Sequence, residues 1–244
     1  MEKKYRRLKR AIILLAVLLA ACAVLVVCLT AEIRSQESAY EMLSEEYESS
    51  QKDTWWMLRS WNTSLEQLGI DAEAVFFGDS ITRNGNFQEY FEDANVVNLG
   101  VIGDTLEDME ERTGMISLVS PEMIFLMGGI NSLSEEDPDS ALEEYEALLN
   151  QIAEENPDAQ IYVESVLPVS EDNTVDNSDI TAFNAGLEDL AESMELTYID
   201  LYSLYVTEDG VLDPEVTSDG LHLKSDSYSL WYETVEEFVY DNLP

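Results

Sequence analysis

From residue 70 onward, five short apolar runs alternate with longer amphipathic stretches, and this alternation limits the architecture more than any other feature of the chain. Residues 74–77 (AVFF), 96–99 (VVNL), 123–127 (MIFLM), 161–166 (IYVESV) and 196–199 (LTYI) are short and read as strands. The segments between them predict helices near 86–93, 105–118, 139–155 and 179–194, with a last one near 226–241. Asp137 with Pro138, and Asn177-Ser178-Asp179, carry helix-start chemistry. Strands alternating with helices predict βαβ units and a parallel sheet. In such a sheet ligands bind beyond the carboxyl ends of the strands, so the residues that follow each strand are the ones to inspect.

A second signal lies ahead of this region. Residues 11–31 read AIILLAVLLAACAVLVVCLTA, without a charge. About 20 such residues cross roughly 30 Å of hydrocarbon as a helix. The first ten residues carry six Lys and Arg against Glu2, and acidic residues such as Glu32 and Glu37 follow the run. By the positive-inside rule this asymmetry keeps residues 1–10 in the cytoplasm and places the rest outside. The run is longer than the apolar segment of a cleaved signal and lacks a good A-x-A site. Leu19-Ala20-Ala21-Cys22 is similar to a lipobox, which would make Cys22 a lipid anchor, yet the residues after Cys22 stay apolar. The expected organisation is a cytoplasmic basic tail (1–10), a transmembrane helix (11–31), a membrane-proximal helical stalk (32–69) and a globular domain (70–244). The expected location is the cell membrane, single-pass, with the domain extracytoplasmic.

Charge narrows the partners. The chain holds 12 Lys+Arg against 51 Asp+Glu, a net charge of -39, and its basic residues crowd the first ten positions. A body so acidic repels nucleic acid, anionic glycopolymers and anionic lipid headgroups, so no nucleic-acid partner is expected. Cys22 and Cys28 both lie inside the apolar run, which leaves the domain without a disulfide, a thiolate nucleophile or a cysteine zinc site. With His222 as the one histidine, a His-rich metal centre is excluded as well. The acidic loop around Asp172, Asp176 and Asp179 lacks EF-hand spacing and reads as solvated. Nothing in the sequence fixes an oligomeric state.

Four motifs fall at strand ends or loop mouths. Gly78-Asp79-Ser80-Ile81-Thr82 follows the first strand, and Asn98-Leu99-Gly100-Val101-Ile102-Gly103-Asp104-Thr105 the second. Gly128-Gly129-Ile130-Asn131 follows the third, and Asp219-Gly220-Leu221-His222-Leu223 precedes the last helix. Each is weak alone. In this order and spacing they resemble the blocks of the SGNH (GDSL) hydrolase family, from about residue 74 to the C-terminus. The G-x-S-x-G elbow of α/β-hydrolases is absent. The expected fold is therefore a three-layer α/β/α domain with a parallel, flavodoxin-like five-stranded sheet. One residue departs from the family pattern: many members carry Asp after the third-block Asn, and this chain has Ser132.

The residues support the chemistry of ester hydrolysis on their own terms. A free hydroxyl is a weak nucleophile, so Ser80 needs a base, and His222 is the one imidazole available. Asp219, on the same short loop, can accept the second ring N–H and stabilise the imidazolium. The resemblance implies an oxyanion hole built from the backbone N–H of Ser80, the backbone N–H of Gly103 and the side-chain amide of Asn131. Asp79 reads as a loop-fixing acceptor, and Asn98, Gly100 and Thr105 as residues that shape the loop presenting Gly103.

The expected activity is that of a serine esterase working through an acyl-enzyme, without metal or organic cofactor. Small acyl groups on glycans, acetyl above all, are the favoured substrate. Lipid or lysophospholipid esters are the alternative, because an anchor through residues 11–31 keeps the site near the bilayer. A catalytically idle glycan-binding envelope protein is the alternative from another class. The intact Ser/Asp/His set argues against it.

Overall fold

The computed structural model describes Gly69 and residues 71–241. The expected tail, transmembrane helix and, apart from Gly69, stalk lie outside the described residues. Among the described residues, no helix is long and apolar enough to cross a membrane.

Five parallel strands, β1 (Ala74–Gly78), β2 (Val96–Asn98), β3 (Met123–Met127), β4 (Gln160–Glu164) and β5 (Thr197–Ile199), form one sheet in the order β2-β1-β3-β4-β5. That is the flavodoxin-like order, with its switch point between β1 and β3. The helices are α1 (Ser80–Asn84), α2 (Phe87–Tyr90), α3 (Leu106–Glu111), α4 (Gly114–Ser117), α5 (Pro138–Glu155), α6 (Asn177–Ser193), α7 (Tyr202–Tyr205) and α8 (Ser229–Asp241). All five residues of β1 and of β3 are buried, as strands covered on both faces must be.

Register explains one face of the core. Phe76 pairs with Phe125, and Phe125 with Tyr162. Because side chains alternate along a strand, these three rings share a face and stack at 4.7 and 4.6 Å between centroids. Phe87 of α2 lies on Phe76 at 3.7 Å, and Phe238 of α8 reaches Tyr162 at 5.2 Å. The opposite layer is α5 and α6. Tyr145 of α5 donates its hydroxyl to the Leu126 carbonyl at 3.1 Å and meets Phe183 of α6 edge-on. Burying such an aromatic contributes about 1.5–3 kcal/mol each.

The helix boundaries depart from the sequence reading where side chains turn inward. The single helix expected over 105–118 is two short ones, because Arg112 ends α3 and sends its guanidinium into the core. The helix expected over 86–93 contracts to Phe87–Tyr90, and the last helix begins at Ser229 after a 3₁₀ turn, Ser225–Tyr228. Helices α1 and α7 were not foreseen, since four or five residues carry no readable periodicity. Asp137 caps α5 as expected, accepting from the N–H groups of Asp139 and Ser140 at 3.1 Å. Asp176, one residue before the expected start, caps α6 by accepting from Ser178 N–H at 2.8 Å. Asn177 instead clamps both backbone groups of Val169.

Candidate active site

Strand β1 delivers the first motif to the carboxyl edge of the sheet. Its chain continues straight into α1, and Asp79 caps that helix by accepting from Ile81 N–H at 2.8 Å. The cap position is thus taken, and the Ser80 hydroxyl is free for other use. It lies 2.9 Å from His222 Nε2. His222 Nδ1 lies 2.7 Å from Asp219 Oδ2. Together the two contacts fix the tautomer: Nδ1–H donates to the carboxylate, and Nε2 accepts from the hydroxyl. Residues 142 positions apart in the chain meet here.

The loop that carries His222 is braced by its own side chains. Asp219 Oδ1 accepts from the N–H groups of Leu221 and His222 at 3.0 and 2.8 Å. Thr217 donates its hydroxyl to the His222 carbonyl at 2.8 Å and accepts from Gly220 N–H at 3.0 Å. Partial desolvation opposes ionisation of Asp219, but hydrogen bonds from the His222 ring and from the two backbone N–H groups together pull its carboxyl well below the usual range. The carboxylate is 55% exposed on its side chain, so water screens part of its effect on the ring.

The second motif wraps across the end of β1. Asn98 donates to the carbonyls of Thr82 and Gly85 at 2.8 and 2.9 Å and accepts from Gly100 N–H at 2.9 Å, tying the loop to α1. A side chain at Gly100 would stand 2.3 Å from the Arg83 backbone nitrogen, so only glycine allows this approach. Gly103 has φ +80°, a conformation that favours glycine. Thr105 closes the loop with a capping box to Asp108 at the start of α3. Asn131 donates one amide hydrogen to the Asp104 carbonyl at 2.7 Å, which places the third motif against the second. Ser132, the departure from the family pattern, accepts from Leu106 N–H at 3.0 Å and so satisfies a first-turn donor of α3.

Two buried groups at or near this site, Arg112 and Glu164, escaped the sequence reading. Arg112 is 6% exposed and pairs through Nε with Asp104, itself 7% exposed. The signal available was scarcity: the described residues hold only Arg83, Arg112 and Lys224 as cations. Glu164, at the end of β4, accepts from Trp231 Nε1 at 2.6 Å and is 1% exposed. The signal available was its place as the one charge inside the apolar run 161–166. Asp79 was foreseen as a loop acceptor, and burial beside Asp104 pushes its carboxyl up to about 7.

Ser132, next to Asn131, and Thr105, two residues after Gly103, line a cavity of about 230 Å³ together with Glu107, Glu135, Glu136 and Glu144. Neither Ser80 nor His222 lines it. Desolvation and the nearby Glu136 push the Glu144 carboxyl up. Among the described residues no group of His, Cys, Asp and Glu is placed to hold a metal ion.

A hydroxyl, an imidazole and a carboxylate hydrogen-bonded in series at the carboxyl edge of a doubly wound parallel sheet have the geometry of a serine-hydrolase site. The chain belongs to the GDSL-like Lipase/Acylhydrolase family, whose pattern matches residues 76–230. It is a hydrolase of ester bonds. Solved structures share its fold: a GDSL-like lipase from Bacteroides thetaiotaomicron aligns with TM-score 0.66 and 19% identity over 76% of this chain and 98% of its own. An acetyl xylan esterase aligns with TM-score 0.59 and 20% identity over 68% and 98%. A carbohydrate esterase family 3 protein from Talaromyces cellulolyticus aligns with TM-score 0.56 and 17% identity over 70% and 100%. Comparison with curated protein sequences finds no match.

Proposed function

We propose that this protein is a membrane-anchored, extracytoplasmic serine esterase that removes small acyl groups, acetyl above all, from neutral glycans. The observation that carries the reading is the unbroken series Ser80–His222–Asp219, at 2.9 and 2.7 Å. In the proposed mechanism Ser80 Oγ attacks the acyl carbon while His222 Nε2 takes its proton. Asp219 holds the ring and stabilises the imidazolium. The carbonyl electrons move to the oxyanion, which the N–H groups of Ser80 and Gly103 and the Asn131 amide receive. Collapse expels the alcohol oxygen, which takes the proton from His222 and leaves an acyl group on Ser80. Water, deprotonated by the same imidazole, then attacks the acyl-enzyme and releases the acid.

Two features support the substrate class. The four glutamates around the cavity beside Asn131 and Thr105 repel phosphate and carboxylate groups, which favours a neutral polyhydroxyl alcohol. Two of the proteins that share the fold act on carbohydrate esters by their names. Anchoring rests on the charge asymmetry around residues 11–31.

Full-length protein in detergent should hydrolyse p-nitrophenyl acetate with a higher kcat/KM than the octanoate or palmitate esters, and should release acetate from acetylated xylan. Faster turnover of long-chain or lysophospholipid esters would replace the glycan reading with the lipid one, and failure on every ester would favour an idle binding protein. Protease added to intact cells should digest the domain while the N-terminal fragment stays with the membrane. Recovery of a shortened soluble protein from the medium would show a cleaved signal instead, and loss of lipid incorporation in Cys22→Ser would show a lipoprotein.

A further inference from the structure

Arg112 is a buried cation with no part in the proton transfers, and its surroundings are unusual. All three of its nitrogens are engaged. Nε pairs with the Asp104 carboxylate, Nη1 donates to the Leu99 carbonyl at 2.7 Å, and Nη2 donates to the Gly78 carbonyl at 2.8 Å. Its Cζ lies over the Phe77 ring, 4.1 Å from the ring centre. Each partner sits next to one of the proposed oxyanion donors. Gly78 is two residues before Ser80. Leu99 and Asp104 bracket Gly103. The Asp104 carbonyl accepts the Asn131 amide at 2.7 Å.

We propose that Arg112 is a positioning residue that sets the oxyanion hole, one guanidinium holding the end of β1, the Gly103 loop and, through Asp104, Asn131 in a single frame. This rests on the esterase reading above. The argument is geometric. The three donors come from three separate strand ends, and no backbone ladder joins Gly103 to Asn131. A rigid planar fork with donors in fixed directions can register the end of β1 and both ends of the Gly103 loop at once, whereas an ammonium is a point charge on a flexible stem. Lysine keeps the charge and loses the directions. Oxyanion donors act only if aimed at the oxygen of the tetrahedral state, so a small drift of the loops lowers kcat rather than substrate affinity.

The test uses full-length Arg112→Lys, with active sites counted by a fluorophosphonate probe so that any misfolded fraction is excluded. The expected result is a kcat per labelled site for p-nitrophenyl acetate reduced about 10²–10³-fold with KM changed by less than about threefold. Phenylboronic acid, whose serine adduct puts an oxygen in the same place, should bind more weakly by a similar factor. Added methylguanidinium should restore part of the rate of Arg112→Ala. If Arg112→Lys yields too little folded protein, Asp104→Asn, which weakens only the link to the guanidinium, should still lower kcat per site by more than about tenfold by the same loss of aim. A kcat per labelled site within about threefold of wild type in the folded variant overturns the proposal. Failure of the esterase reading would show separately, as wild-type protein that the probe does not label or a fully active Ser80→Ala.

Discussion

Replacing Ser80 by alanine is expected to lower kcat/KM for an activated acetyl ester by on the order of 10⁴–10⁶-fold and to abolish fluorophosphonate labelling, with thermal unfolding nearly unmoved. The size follows from the role proposed for the hydroxyl, since without it no acyl-enzyme forms. The small effect on stability follows from the local structure. Asp79, not Ser80, caps α1, and the hydroxyl's hydrogen bond is to His222. His222→Ala should cost a similar factor and remove the rise of kcat/KM with pH, because the imidazole must be neutral to accept the proton and the chain has no second histidine. Asp219→Asn should leave measurable but much weaker activity, with the ring held in the wrong tautomer. Wild-type turnover in Ser80→Ala, or an unchanged pH profile in His222→Ala, would end the assignment.

The second large effect concerns stability and pH. Glu164 is buried at the end of β4 with one carboxyl oxygen on Trp231, and its other oxygen has no partner among the described residues. Burial pushes this carboxyl up from 4.5 to about 8, against the opposing hydrogen bond from Trp231. Between those two values the unfolded chain has lost the proton and the folded chain still holds it, so unfolding releases a proton. The contribution of Glu164 to stability is therefore fully present below about pH 4.5 and falls as pH rises toward 8. Asp79, raised to about 7, acts in the same direction, as does repulsion within the acidic body. Glutamine keeps an acceptor for Trp231 and cannot ionise. Glu164→Gln should match wild type near pH 5 and exceed it near pH 8, by at most about 5 kcal/mol. Melting curves of both proteins from pH 5 to 8 measure this. Parallel curves would show that Glu164 does not carry the slope.

The Ser80 motif was legible because a strand end followed by a short turn is where an open sheet presents groups. His222 was legible because it has no competitor for the role of base. The same reading missed Arg112, which sat within an expected amphipathic helix where a charged residue normally faces water. Its inward turn depends on Gly78 at the end of β1 and on Leu99 and Asp104 of the second loop, which approach from two other segments. Glu164 stands within the apolar run 161–166, and the partner its carboxyl meets, Trp231, lies 67 residues later. Ser132 departs from the family pattern, and the fold gives it a use at the start of α3.

Period and punctuation along the chain determined the strands, the parallel sheet, the long helices and the groups proposed to react, because each depends on spacing within a few residues. Tertiary structure alone decided which helices break, which charges are buried, and which side chains brace the loops around Gly103 and Asn131. Those outcomes depend on desolvation and on hydrogen bonds between residues tens of positions apart, and neither is encoded in local spacing.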